Sequence, residues 1–392
     1  MKPGFEAVKE TFIENFKQRN ELGAACCIYY KGERVVDLWG GIRNEATGES
    51  WEEDTMVLVW STTKGLSALA MALAHSQGLY EYHEPISKYW PEFAQEGKEK
   101  ITVRQLMAHQ AGLIAFDEMS DREIMGDQDR LAVVLARQKP AWEPGTRHGY
   151  HALTLGFYQS ELLRRVDSKG RSLGRYFQDE IATPLGLDFY IRLPEEIPNS
   201  RLATHRQAKF GLSAMRSAPI SFIFAAMSPR SAIRRALKGT EFCYDENHIY
   251  ARNYEVPSGG GVGTARAIAH AYSVFATGGK ELGLRQETLQ ELMAPPTAPL
   301  FGTRDVALKM ESGYSLGFIR PSLKMPFGSP SSFGMPGTGG SFGYADPEAQ
   351  IGYGYVLNGL GTSFPIDPRD KALRSAMYSS IGIAYPYQKL GE

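Results

Sequence analysis

Cysteine is scarce in this chain, charge of either sign is not in excess, and no apolar run is long enough to cross a bilayer. The three cysteines among 392 residues, Cys26, Cys27 and Cys243, cannot make a disulfide framework. Two of them are adjacent in strand-like sequence, where a thiol serves as a small buried apolar group. Lysine and arginine number 43 against 44 acidic residues, a net charge of −1, with no basic tail or acidic block. Neither nucleic acid nor a membrane is therefore expected as a partner. The start, Met1-Lys2-Pro3-Gly4-Phe5, lacks the apolar core and cleavage site of an export signal, so a reducing, cytoplasmic location is the expectation. Internal repeats and low-complexity linkers are missing too. What is there, 43% hydrophobic and 22% charged residues, suits a globular protein with a large core.

Along the chain, Phe5, Val8, Phe12 and Phe16 recur at helical spacing and predict an amphipathic helix over 5–18. Residues 25–30 and 34–39 read as strands of a hairpin turning at Lys31-Gly32-Glu33 and ending at Gly40-Gly41. From about 80 to 250 helices and loops dominate, including a helix capped by Thr102 and another from about Leu153 to Val166. Residues 215–239 mix Phe222, Ile223, Phe224 and Met227 with Arg230, Arg234 and Arg235, and read as a surface arm, a lid or an oligomer contact. The run Ser258-Gly259-Gly260-Gly261 has no lysine or dinucleotide spacing after it, which favours tight packing over phosphate binding. Pro- and Gly-rich loops occupy 294–303 and 320–340, then come strand candidates 341–346 and 351–357 and a helix over 368–383. The β-rich ends must form one sheet. The expected organisation is a discontinuous α/β domain of 1–80 and 255–392 and a helical domain of 81–254, with a cleft between them.

One stretch carries chemistry. Val57-Leu58-Val59-Trp60 runs into Ser61-Thr62-Thr63-Lys64, and a charge-free, Ala- and Leu-rich helix follows. Ser61 is a natural N-cap, and Lys64 lies on the same face of the first turn. A lysine desolvated there would shift toward its neutral form and could accept the serine proton. A Ser-x-x-Lys occurs by chance roughly once or twice in a chain of this length. The plain alternative is a capping serine beside a solvated lysine.

Company decides between them. Ser61-Thr62-Thr63-Lys64 resembles the first motif of the serine β-lactamase and penicillin-binding-protein superfamily. Leu106-Met107-Ala108-His109-Gln110-Ala111-Gly112-Leu113 is similar to a block of its class C-like branch. Tyr150-His151-Ala152 after Glu143-Pro144-Gly145 is similar to the second motif, and Gly337-Thr338-Gly339-Gly340 to the third. Pro184-Leu185-Gly186-Leu187 is a further landmark, and family VIII carboxylesterases are the nearest subgroup. The resemblance implies an α+β fold, an antiparallel sheet flanked by N- and C-terminal helices with a mostly helical lobe inserted. It implies Ser61 as nucleophile, Lys64 as proton acceptor and Tyr150 as the bridging acid or base, with the choice between the last two open. The N–H groups of Ser61 and Gly340 would form the oxyanion hole. His151, Ala152, Gly337, Thr338 and Gly339 would line the substrate cleft, with no cofactor and no metal.

Two departures from the motifs bear on substrate. Ala152 stands where β-lactamases carry an asparagine, and Gly337 where they carry the lysine that holds a substrate carboxylate. Even the histidine of many esterase relatives is Met335 here. A neutral small-molecule ester fits these losses better than a β-lactam or a peptide, with acyl transfer and D-aminopeptidase activity as neighbouring readings. A catalytically silent binding protein of the same fold would have no need of Ser61, Lys64 and Tyr150 together. Gly339-Gly340-Ser341-Phe342-Gly343 also fits a nucleophile elbow, but that elbow needs a strand before the serine and a helix after it, and here a loop and a strand are expected. His148 and His151 show no metal-ligand spacing and are expected to be polar cleft lining or surface.

Overall fold

A computed structural model describes residues 1–117, 122–208, 220–228, 230–244, 248–363 and 365–385. Strands β1 (Gly23–Tyr30), β2 (Glu33–Asn44) and β3 (Glu49–Ser50) come first, and β4 (Val57–Leu58), β5 (Phe189–Tyr190) and β6 (Val262–Gly263) follow. The last five are β7 (Tyr314–Ser315), β8 (Phe318–Ile319), β9 (Phe333–Pro336), β10 (Phe342–Asp346) and β11 (Ile351–Leu357). Eight of them make one antiparallel sheet in the order β3-β2-β1-β11-β10-β9-β8-β7. The chain ends meet in its middle, with Ala24 opposite Leu357 and Tyr30 opposite Ile351.

The hairpin forms because Lys31 and Gly32 both take positive φ, +52° and +78°, which a tight two-residue turn requires. β2 does not stop at Gly40-Gly41 as expected but runs on to Asn44. Gly41, at φ +83°, crosses so near the neighbouring strand that a Cβ would lie 2.1 Å from Leu22 O. Alternation sends the two adjacent cysteines to opposite sides of β1. Cys26 joins the cluster under helices Glu6–Gln18 and Pro368–Ser380, whereas Cys27 joins the one under Thr62–Ser76 and Ala265–Ala276. The second pair of helices can sit on the sheet because β11 offers glycines there. A Cβ on Gly352 would lie 2.3 Å from Ser273 N.

Helix Thr62–Ser76 is buried along its whole length, which explains a sequence free of charge after Lys64. It lies between the sheet and the helices of 81–254. The small sheet β4-β6-β5 holds the chain that enters it. Among the described residues no helix is long and apolar enough to cross a membrane. Of the 215–239 segment, residues 215–219 and 229 lie outside the described residues. The rest includes helices Ile220–Met227 and Ala232–Ala236.

Candidate active site

Ser61 sits where a pinned strand turns into the central helix. Val59 N–H donates to Gly261 O at 2.9 Å, fixing the chain up to that point. Trp60 then takes φ +50°, a value that a bulky residue holds only when its neighbours over-determine it. Its indole stacks on His205, with centroids 6.0 Å apart, and Thr63 N–H and Oγ1 both donate to its carbonyl at 2.9 and 2.5 Å. The expected capping role of Ser61 is not what the structure shows. Its φ and ψ, −65° and −12°, are already helical, and its hydroxyl accepts no backbone N–H. That hydroxyl lies instead 3.1 Å from Lys64 Nζ and 2.7 Å from Tyr150 OH.

Lys64 is fully buried, and its amine donates to Ala152 O at 2.6 Å and Ser258 O at 2.7 Å. Two of its three outward directions are thereby occupied by carbonyls, which can only accept. The third faces Ser61 Oγ, and in the neutral amine that direction is the lone pair. Burial pulls the Lys64 pKa down to about 7, with the nearby Cys243 sulfur acting the other way. Tyr150 moves oppositely. Burial pushes its phenol above the ordinary value, the hydrogen bond with Ser61 opposes this, and Asp305 adds to the rise. The phenol keeps its proton at neutral pH and is the donor to Ser61 Oγ.

Asp305 orients Tyr150. One carboxylate oxygen accepts Tyr150 N–H at 2.9 Å and Tyr314 OH at 2.8 Å, and the other accepts Ala307 and Leu308 N–H, both at 2.7 Å. The Tyr314 ring lies nearly parallel to that of Tyr150, 17° between planes. His151, expected as cleft lining or surface, is buried structure. Its Nε2 accepts Leu113 N–H at 2.9 Å, its Nδ1 faces Gly149 O at 2.7 Å, and burial drops its pKa to about 3. The ring is therefore neutral with its proton on Nδ1, the only tautomer that satisfies both contacts. His109 accepts His151 N–H at 3.0 Å, and His148 meets Thr303 O at 2.8 Å. Among the described residues no three His, Cys, Asp or Glu side chains converge as a metal site. The Ala152 side chain joins Ile114, Ala115 and Ala236 in an apolar cluster flanked by Trp142 and Tyr150.

The 337–340 turn revises the oxyanion assignment. Gly340 N–H donates to Gly337 O at 3.2 Å, closing the turn, so it is not available to an oxyanion. Among the described residues Ser61 N–H has no acceptor, and in this turn the same holds for the N–H groups of Thr338, Gly339 and Ser341, which are the candidates for the second donor. Gly337 admits no side chain at all, because a Cβ would stand 2.2 Å from both Val59 O and Ser341 Oγ. Gly339 offers the cleft little, since its carbonyl accepts Gly361 N–H at 2.8 Å and Arg369 Nη2 at 3.1 Å. Arg369 is itself locked by Asp367 and by Glu21 at 2.9 Å, a buried ion cluster that fixes the turn from behind. Ser341 is a strut rather than a nucleophile. Its hydroxyl donates to Val59 O at 2.9 Å, pairs with Thr62 Oγ1 at 3.1 Å, and has strand β10 after it.

A model of the Beta-lactamase family matches residues 9–376. The chain belongs to this beta-lactamase family. Esterase/beta-lactamase LipL of Mycobacterium tuberculosis is 32% identical over 370 residues, 91% of this chain and 82% of LipL. A solved family VIII carboxylesterase matches with a TM-score of 0.81 at 34% identity, covering 96% of this chain and 98% of its own. A penicillin-binding-protein homologue from Caulobacter crescentus matches with a TM-score of 0.82 at 32% identity over the same shares, 96% and 98%. The protein is thus a hydrolase of the beta-lactamase superfamily with the β-lactamase/transpeptidase fold.

Within this beta-lactamase fold, the groups missed in the sequence include two backbone atoms, Ala152 O and Ser258 O. A carbonyl leaves no signature in residue type. The glycine run after Ser258 was the available signal, for it lets that loop close on the helix. A Cβ on Gly261 would sit 2.7 Å from Thr63 Oγ1, to which Gly261 N–H donates at 2.9 Å. Asp305, in a loop with no motif, carried no signal.

Proposed function

We propose that the protein is a serine carboxylesterase acting on neutral esters with short acyl chains through a Ser61 acyl-enzyme. The observation that carries this reading is the Lys64 amine held by two carbonyls with its lone pair on Ser61 Oγ, 3.1 Å away. The apolar cluster at Ala152 and the lack of room for a cation at Gly337 favour a neutral substrate over one with a carboxylate. In this reading neutral Lys64 takes the Ser61 proton as Oγ attacks the ester carbonyl, and the oxyanion is met by Ser61 N–H and a second free N–H of the 338–341 turn. Each such donor is worth on the order of 10² to 10³ in rate. The tetrahedral intermediate expels the alkoxide, which takes the Tyr150 proton. The Lys64 ammonium, 4.8 Å from the Tyr150 ring centroid, stabilises the phenolate left behind. In deacylation the phenolate takes a proton from water, whose oxygen attacks the acyl carbon. Ser61 leaves as alkoxide and recovers its proton from Lys64.

The test is turnover of p-nitrophenyl acetate, butyrate and octanoate beside nitrocefin and a D-alanine amide, with Ser61→Ala in parallel. Esters with short chains should be hydrolysed and Ser61→Ala should lose at least about 10⁴ in kcat. Turnover of nitrocefin alone would sink the esterase reading. Absence of any turnover or fluorophosphonate labelling would point to a silent member of the fold. A weak β-lactam activity is the second reading, motivated by the relative LipL, whose name joins esterase and beta-lactamase.

A further inference from the structure

Ser67 is the one polar side chain over 65–74 of the central helix, and it is fully buried. A serine inside a helix commonly turns its hydroxyl back to a carbonyl of the preceding turn. This one reaches outside the helix and donates to Pro257 O at 2.7 Å. Lys64, three residues earlier on the same face, donates to the next carbonyl, Ser258 O. The segment can offer two successive carbonyls to one helix because it is a turn. Gly259 and Gly260 N–H close it by both donating to Val256 O, at 3.0 and 2.8 Å.

Ser258 ties the same turn to the other side of the clamp. Helix Thr154–Val166 begins after Leu153, whose side chain caps nothing. In its first turn the Gly156 N–H donates instead to Ser258 Oγ at 2.6 Å, a cap supplied from 102 residues away. The two backbones are in direct contact there, since a Cβ on Gly156 would lie 2.6 Å from Pro257 C and from Ser258 N. Ala152, whose carbonyl is the other acceptor of the Lys64 amine, stands two residues ahead of that helix. The Ser67 hydroxyl thus holds the turn to the helix that carries Lys64, and the Ser258 hydroxyl holds it to the segment that carries Ala152 O.

We propose that Ser67 and Ser258 are positioning residues of the Ser61 site, their hydroxyls fixing the two-carbonyl clamp that aims the Lys64 amine at Ser61 Oγ. The proposal rests on the reading of Lys64 as the base. The titratable groups around Lys64 are Tyr150, Cys243, His109 and His151, and all are neutral at pH 7. Burial raises the phenol and the thiol and lowers both imidazoles. Asp305 bonds the Tyr150 N–H and not the amine. An ammonium at Lys64 is therefore held by the two carbonyls. A hydrogen bond to the charged form favours that form, so a loosened Ser258 O should lower the pKa of the amine further and leave it less well aimed.

The experiment is the pH dependence of Ser61 labelling by a fluorophosphonate, which needs an activated serine but no particular ester. It compares the wild type with Ser67→Ala, Ser258→Ala, Tyr80→Phe and Lys64→Met. Each serine variant should lower the plateau rate about tenfold, the scale of a small misplacement of a reacting group. Each should also move the midpoint down from about 7 by about half a pH unit. Tyr80→Phe removes another buried hydrogen bond to the same helix, Tyr80 OH to Met71 O at 2.8 Å. It should melt at a lower temperature and label with the wild-type plateau and midpoint, as a purely structural serine would. Midpoints that stay at the wild-type value or rise in both serine variants would overturn the proposal, whatever their melting temperatures. Labelling of Lys64→Met at the wild-type rate would remove the base reading and the proposal with it. Loss of labelling in Lys64→Met beside unchanged serine variants would overturn the proposal alone.

Discussion

Among the described residues two lysines are fully buried, Lys64 and Lys98, and only one of them is built to accept a proton. Lys98 donates to Gln95 O, Ala136 O and Gln138 O at 2.9, 2.8 and 2.8 Å, so every direction of its amine ends on a carbonyl. Lys64 has two carbonyls and a hydroxyl. A carbonyl can only accept, so Lys98 in its site is a permanent donor, whereas Ser61 Oγ can return a proton to Lys64. Burial depresses both, Lys98 to about 8 and Lys64 to about 7, and the carboxylates Glu96 and Glu99 hold Lys98 higher. A lowered pKa thus does not make a base. The partner in the third direction does.

The comparison breaks most sharply in a pair of substitutions. Lys64→Met should lower kcat on p-nitrophenyl butyrate on the order of 10³ or more while the protein still folds. Lys98→Met should leave kcat of the folded protein within a factor of two. It should cost about 3 kcal/mol or more in urea unfolding, because three buried carbonyls lose their donor. Equal effects of the two on kcat would remove the distinction. Next in size is Tyr150→Phe, which removes the leaving-group proton and the Ser61 contact without opening a cavity. A loss on the order of 10² or more in kcat is expected. It should be larger for an ethyl ester, whose alkoxide must be protonated, than for a p-nitrophenyl ester, and the same loss on both would deny Tyr150 the acid role.

Much of this was legible beforehand, and the limits have physical causes. The hairpin was readable because two apolar runs flank Lys31-Gly32-Glu33. The faces of β1 were not, since Cys26 and Cys27 are the same residue, both buried and on opposite sides. The position of Ser61 was readable because an apolar strand, a serine and a charge-free helix follow one another within 20 residues. What could not be read is contact between distant backbone atoms. The clamp on Lys64 is made by carbonyls 88 and 194 residues away, at Ala152 and Ser258. Gly340 was set aside as an oxyanion donor because a hydrogen bond within the turn takes its N–H, and a bond of that kind leaves no mark on residue type. Strand β9 was hidden in what read as a loop, since Gly334, Pro336 and Gly337 are breakers by propensity. Gly334 is needed there because a Cβ would lie 2.4 Å from Tyr344 Cβ.

Smallest among the expected effects is Ser341→Ala. Its hydroxyl holds Val59 O and Thr62, so its loss should cost about 1 to 2 kcal/mol of stability and less than tenfold in kcat. A loss equal to that of Ser61→Ala would exchange the roles of the two serines.

The central claim is that acylation is driven by a neutral Lys64 while Tyr150 keeps its proton, and the pH dependence of the acylation burst tests it most directly. The amine works only when deprotonated, so the acylation rate constant should rise about tenfold per pH unit below about 7 and level off above it. A limb that keeps climbing to pH 9 or 10, or a rate flat from pH 5 to 9, would contradict that assignment.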